Sequence, residues 1–246
     1  MSRAAPLAIR VLVGAVVILA VWVAVNWAYQ VTRKPTELFV PVSRALAKTP
    51  PETWRRYGLL FRAHSTAVIT PELLAALAQV EGGGNPLAQT YWRWRLTWNP
   101  FGWYRPASSA VGMYQITDAT FQEAKRYCIH NHLVTEAGPW YDVRSCWFNG
   151  LYTRVVPSHA VELTAALLDR SVTTTLGRQQ IRMATLSEKQ DLAAVIHLCG
   201  AGPGDAYARR SFRLTAGQRC GDHDVSGYLA RINTMKRQFA RLAAGG

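Results

Sequence analysis

Apolar positions along this chain form one unbroken run and then a series of stripes at helical spacing. The run, VLVGAVVILAVWVAVNWAY from Val11 to Tyr29, holds nineteen residues without a formal charge. At a rise of about 1.5 Å per residue it nearly spans the hydrocarbon core of a bilayer. Trp22, Trp27 and Tyr29 gather towards its end, where aromatic side chains favour the membrane interface. A cleaved leader needs small residues at the first and third positions before the cut, and none stand close behind the run. The reading is an uncleaved anchor over 11–29, a cytoplasmic N-terminus over 1–10 and a linker over 30–50 containing Pro35, Pro41 and Pro50. Arg3 and Arg10 precede the anchor, but Arg33, Lys34, Arg44 and Lys48 follow it, so basic residues alone do not orient it.

From 51 to 246 the pattern predicts one all-α domain. Thr70 and Pro71 are an N-cap and first-turn pair for the apolar segment PELLAALAQVE ending at Glu81. Thr117 and Asp118 open a helix running towards Cys128. Ser158 caps a long helix reaching about Leu176. Ser187 and Gln190 form a capping box before the apolar stretch Leu192–Leu198. The last helix carries Tyr228, Ile232, Met235, Phe239 and Leu242 on one stripe. No strand-like alternation stands out, and there is no internal repeat.

Composition changes this picture in two ways. The net charge is +13, but the basic residues are scattered and no nucleic-acid motif accompanies them, which favours an acidic polymer or an anionic membrane surface as partner over nucleic acid. The four cysteines, Cys128, Cys146, Cys199 and Cys220, suit two disulfides in an oxidising compartment. Three pairings are possible; Cys128–Cys146 and Cys199–Cys220 each close a short, loop-rich stretch and are expected. A zinc site around Cys128, His130 and His132 is the rival, but its spacing fits none of the common structural zinc patterns.

Glu81 is the strongest candidate for chemistry. Leu73, Leu74, Leu77 and Glu81 share one helical face, and Gly82, Gly83 and Gly84 follow at once. Desolvation on such a stripe favours the neutral acid, and the negative end of the helix dipole acts in the same direction, as a general acid requires. The alternative is a last-turn glutamate that curls out to water. Between Gln89 and Ala110 lies a second unusual segment, QTYWRWRLTWNPFGWYRPASSA. Trp92, Trp94, Trp98 and Trp103 cannot all be core residues of a loop broken by Pro and Gly. They either stack on sugar rings or fold back onto the helices.

Three blocks occur in order: VEGGGNPLA from Val80 to Ala88, SSAVGMYQIT from Ser108 to Thr117, and GAGPGDAY from Gly200 to Tyr207. Over roughly residues 60–215 the chain resembles the lytic transglycosylases of the soluble-lytic-transglycosylase type, glycoside hydrolase family 23, which have a lysozyme-like fold. The resemblance implies that Glu81 is the single catalytic acid/base. It implies that Gln115 and the backbone around Met113 and Tyr114, with Ser109, Gly112 and Tyr207, line a saccharide cleft; where the aromatic segment stacks on sugar, Trp98 and Trp103 are its candidate stacking surfaces. The implied substrate is the glycan strand of peptidoglycan. The implied reaction breaks the β-1,4 bond between N-acetylmuramic acid and N-acetylglucosamine and closes a 1,6-anhydro ring, without metal or cofactor. A single-pass protein of the bacterial inner membrane with its domain in the periplasm follows, serving a secretion or division apparatus. No Asp or Glu occurs from Gly82 to Thr117, which suits a mechanism with one carboxylate better than hydrolysis with two.

The chain departs from the family at two places. Gly82 stands where a Ser follows the catalytic Glu, and Cys199–Gly200 stands where Tyr-Asn precedes the Ala-Gly-Pro-Gly turn. That Tyr normally positions the acid, a task left to Tyr114 or Tyr207. A hydrolytic muramidase of the same fold and a catalytically silent wall-binding scaffold therefore remain alternatives.

Overall fold

The computed structural model describes residues 6–39, 43–142 and 145–245. The protein is mainly helical, and the chain forms two compact units, residues 1–41 with 90–109 and residues 42–89 with 110–246.

The first unit is built on helix α1, Leu7–Arg33, long and apolar enough to cross a membrane. It runs beyond the expected anchor, so 30–33 continue the helix, and Pro35–Phe39 form a 3-10 turn where a linker was expected. The ribbon β1, Trp92–Trp94, and β2, Tyr104–Pro106, belongs to this unit, although 90–109 was expected within the domain. Asn26 and Gln30 are the buried residues of α1, and each donates to a ribbon-loop carbonyl at 2.7 Å, Asn26 to Tyr104 and Gln30 to Phe101.

Among the described residues, the second unit packs seven helices. They are α2 (Pro50–Ala63), α3 (Pro71–Gly82), α4 (Asp118–Ala124), α5 (Pro157–Arg178), α6 (Leu186–Cys199), α7 (Ala201–Arg209) and α8 (Val225–Ala244). Thr70 caps α3 by accepting from the Leu73 amide, with Pro71 in the first turn. Every residue from Leu73 to Ala78 is fully buried, so α3 is enclosed on all sides rather than along one stripe. Its alanines admit α2 and α8 at close range while its leucines fill the space between. The expected stripe on α8 faces this core, with Tyr228, Ile232 and Phe239 buried.

Two ribbons interrupt the expected helices. The helix opened by Thr117 stops at Ala124, and Tyr127–His130 forms strand β3, paired with β4, Leu133–Glu136. The Ile129 amide donates to Glu162 Oε1 of α5 at 3.0 Å, so a tertiary partner replaces the helical one. Asn131 and His132 take left-handed φ values of +52° and +64° to close the two-residue turn. The short ribbon β5 (Arg219–Cys220) and β6 (His223–Asp224) precedes α8.

Two helix starts also differ from expectation. The capping box of α6 is Thr185 with Glu188, not Ser187 with Gln190. Gln190 is instead buried and donates to the Val68 carbonyl at 3.2 Å. At α5 the cap is Val156, because Pro157 supplies the first-turn φ and moves Ser158 inside the helix. Cys128 is bonded to Cys146, and Cys199 to Cys220. Each bond adds on the order of 3 kcal/mol by closing a loop of about 20 residues.

Candidate active site

Glu81 is the penultimate residue of α3. The helix ends immediately after it because Gly83 and Gly84 adopt left-handed φ values of +58° and +63°. A side chain at Gly84 would also collide with Thr53. Gly82 has a different cause. A Cβ there would lie 2.7 Å from the Met113 Cα and 2.9 Å from the Met113 oxygen. The backbone of the second sequence block thus lies directly over the end of α3, closer than a serine would allow.

The Glu81 side chain is neither lone nor turned out to water. It is 16% exposed, and its Oε1 accepts a 2.6 Å hydrogen bond from the Tyr228 hydroxyl of α8. His197 Nε2 of α6 lies 3.9 Å from the same oxygen. Oε2 has no hydrogen-bond partner among the described residues. Burial first, and the Glu81 charge second, push the Tyr228 hydroxyl well above its usual pKa. Tyr228 therefore remains a donor at any physiological pH.

The second block is a tight turn held by reciprocal bonds between Val111 and Ile116. Gln115 sits at its corner with φ +47°, and its Nε2 donates to the Ala88 and Gly112 carbonyls at 3.1 and 3.0 Å. The Gly112 amide donates to Ala88 at 2.8 Å, tying this turn to the end of the first block. Met113 and Tyr114 are fully buried, and the Tyr114 hydroxyl lacks a partner among the described residues.

A cleft of about 270 Å³ opens between the second and third blocks. Gln115 and Thr117 line one wall, and His197, Gly200 and Ala201 line another. Glu81 is not among its lining residues, but His197, 3.9 Å from Glu81, is. Thr164 also lines the cleft, and its hydroxyl is buried without a partner among the described residues.

The fold thus brings Glu81, Gly112, Met113 and Gln115 together. Tyr207 is buried in α7 with its ring edge-on to Phe212, and burial pushes its hydroxyl up to about 12. Neither Tyr207 nor Tyr114 bonds Glu81. Ser109, Trp98 and Trp103 lie in the first unit. Sequence reasoning missed Tyr228 and His197 as neighbours of Glu81. The only signal for Tyr228 was a hydroxyl-bearing ring on a stripe otherwise made of Ile, Met, Phe and Leu. Cys199, which replaces the family tyrosine, is bonded to Cys220, eight residues before Tyr228, so the third block is tied to the start of α8.

The family model of the transglycosylase SLT domain matches residues 58–186, just over half of the chain. The match contains Glu81 and the second block but ends before His197 and Tyr228. No curated protein matches the chain at a significant level. With a matched segment of that extent, a mainly helical fold and Glu81 at the end of its buried helix, the chain belongs to the transglycosylase SLT family of lysozyme-like domains that act on peptidoglycan.

Proposed function

We propose that this protein is a membrane-anchored lytic transglycosylase in which Glu81 is the only acid/base. The observation that carries the reading is the Glu81 carboxyl itself, largely buried, with one oxygen held by Tyr228 and the other unpartnered among the described residues. In the first step the proton on Oε2 passes to the glycosidic oxygen as the bond to the muramyl anomeric carbon breaks. In the second, Glu81 takes the proton of the muramyl 6-hydroxyl as that oxygen closes on the anomeric carbon. The carboxyl begins and ends protonated, and no water is consumed. Tyr228 fixes the carboxyl rotamer so that Oε2 faces the substrate in both steps. Gln115, whose amide nitrogen is spent on Ala88 and Gly112, positions the turn and leaves its oxygen for the sugar.

In this reading α1 anchors the domain to the inner membrane, and the two disulfides support a periplasmic domain because such bonds persist in oxidising compartments. Mass spectrometry of muropeptides released from purified sacculi tests the reaction. The expected products lack a reducing end and are one water lighter than hydrolysis products. Reducing-end products would replace this reading with a muramidase. No released product would leave a wall-binding scaffold.

A further inference from the structure

We propose that the aromatic ribbon of residues 92–106 is a lipid-facing wedge, embedded beside α1 at the bilayer interface on the domain side. The proposal rests on the reading of α1 as a membrane anchor. It concerns only the first unit.

The ribbon packs along the last turns of the apolar run. Trp94 stacks on Trp22 with centroids 5.8 Å apart, Phe101 lies 5.1 Å from Tyr29, and Trp92 donates to Glu37 at 2.9 Å. Its base is therefore beside residue 37 and its middle beside residue 22, which places the ribbon alongside helix that lipid would otherwise surround. Trp22 lies seven residues before Tyr29, or about 10 Å along the helix. In a span ending at Tyr29 that level lies inside the hydrocarbon edge, so the ribbon reaches from the headgroup layer beside Glu37 into the outer acyl region.

Asn26 supports this placement. It is the polar residue inside the apolar run and is 1% exposed. Polar residues in a span face protein because lipid offers no hydrogen bonds. Asn26 and Gln30 donate to the Tyr104 and Phe101 carbonyls, ribbon-loop acceptors that hydrocarbon would leave unsatisfied.

The outer surface of the ribbon has the chemistry of a headgroup layer. Leu96 and Trp98 at the tip are almost wholly exposed, and Trp94 is largely so. Arg93 and Arg105 are register partners directly across the ribbon. Like charges opposed in this way destabilise a ribbon unless an anion neutralises them. No Asp or Glu occurs from Thr90 to Ser109, and neither arginine has an ion-pair partner among the described residues. Anionic phospholipid phosphates satisfy both arginines while the acyl boundary receives Leu96 and Trp98.

Nitroxide labels on the full chain in vesicles of phosphatidylethanolamine and phosphatidylglycerol test the proposal. Single variants Trp98→Cys, Val17→Cys and Leu133→Cys report the tip, the middle of α1 and an exposed site on the second unit. The readout is accessibility to oxygen, which partitions into lipid, relative to a water-soluble nickel chelate. The expected ratio is several-fold higher at 98 than at 133, and at 17 higher still. A high ratio at 17 with a water-like ratio at 98 overturns the wedge alone. A water-like ratio at 17 overturns the anchor and the wedge with it. Immobilisation of the label at 98 by added peptidoglycan fragments, with a water-like ratio, assigns the ribbon to glycan instead.

Discussion

Two glutamates in the second unit have nearly the same neighbours and opposite prospects. Glu81 accepts from Tyr228 at 2.6 Å with His197 at 3.9 Å, and Glu162 accepts from Tyr152 at 2.8 Å with His64 at 3.7 Å. They differ at the second oxygen. Glu162 Oε1 takes the Ile129 amide, so Glu162 ties α5 to β3 and faces α2 with every acceptor in use. Glu81 Oε2 has no partner among the described residues, and its side chain is 16% exposed against 8% for Glu162. A tyrosine and a histidine beside a carboxylate therefore do not mark a reactive site. Under the proposed function the distinguishing feature is a free oxygen in a shielded place, because that oxygen can exchange a proton with a ligand.

The sharpest way to break this contrast is to neutralise each carboxylate in turn. Glu81→Gln keeps shape but cannot cycle a proton, so turnover on sacculi should fall by at least about 10²-fold, the usual worth of general acid–base catalysis. Its melting temperature should stay near the wild type. Glu162→Gln should do the reverse. It weakens bonds to an amide and a tyrosine, at a cost of about 1–3 kcal/mol in stability, while folded protein keeps most of its turnover. If Glu162→Gln abolished turnover in fully folded protein, the free-oxygen criterion would fail.

A smaller effect should separate the two tyrosines. Tyr228→Phe leaves Glu81 free to rotate, so kcat should fall with KM nearly unchanged, since ground-state glycan binding does not need the hydroxyl. The loss should be well below that of Glu81→Gln, because the proton carrier remains. Tyr152→Phe should lower stability by about 1–3 kcal/mol and spare kcat. Steady-state kinetics on soluble glycan chains, paired with denaturant melts, distinguish these outcomes. Equal kcat for both variants would remove Tyr228 from the proposed mechanism.

The sequence made Glu81 visible because everything that positions it locally is local. Thr70 and Pro71 start α3, its leucines and alanines bury it, and three glycines end it. The last stripe was legible for the same reason. The Tyr228 contact was not, since it joins residues 147 apart in the chain, and no periodicity records which helix a stripe will face. The ribbons were missed because strands of two to four residues are too short for a period-two signal, and β3 owes its place to Glu162 on another element. The aromatic segment was readable as unusual but not as a companion of α1. Its partners Trp22, Asn26 and Gln30 sit in a helix whose apolar character suggested lipid on every side. Gly82 became intelligible only when the Met113 backbone appeared above it.

The finest test of the contrast uses pH. His64 and His159 both face Glu162, and Tyr152 stacks on His159 with centroids 4.0 Å apart. Burial lowers the pKa of both histidines below the usual 6.5, while the Glu162 charge opposes that shift in each. With the folded-state values lowered, the unfolded chain binds protons first as pH falls. Stability is therefore fully present above about 6.5 and is lost as pH drops through the folded-state values. In Glu162→Gln the opposing charge is gone, both values fall further, and the window of loss extends to lower pH. Denaturant midpoints measured from pH 7.5 to 5 should therefore decline more in total for Glu162→Gln than for wild type, beyond the constant offset of the lost bonds. Parallel curves for Glu162→Gln and wild type would show that Glu162 does not act on the histidines, and its resemblance to Glu81 would then be geometric only.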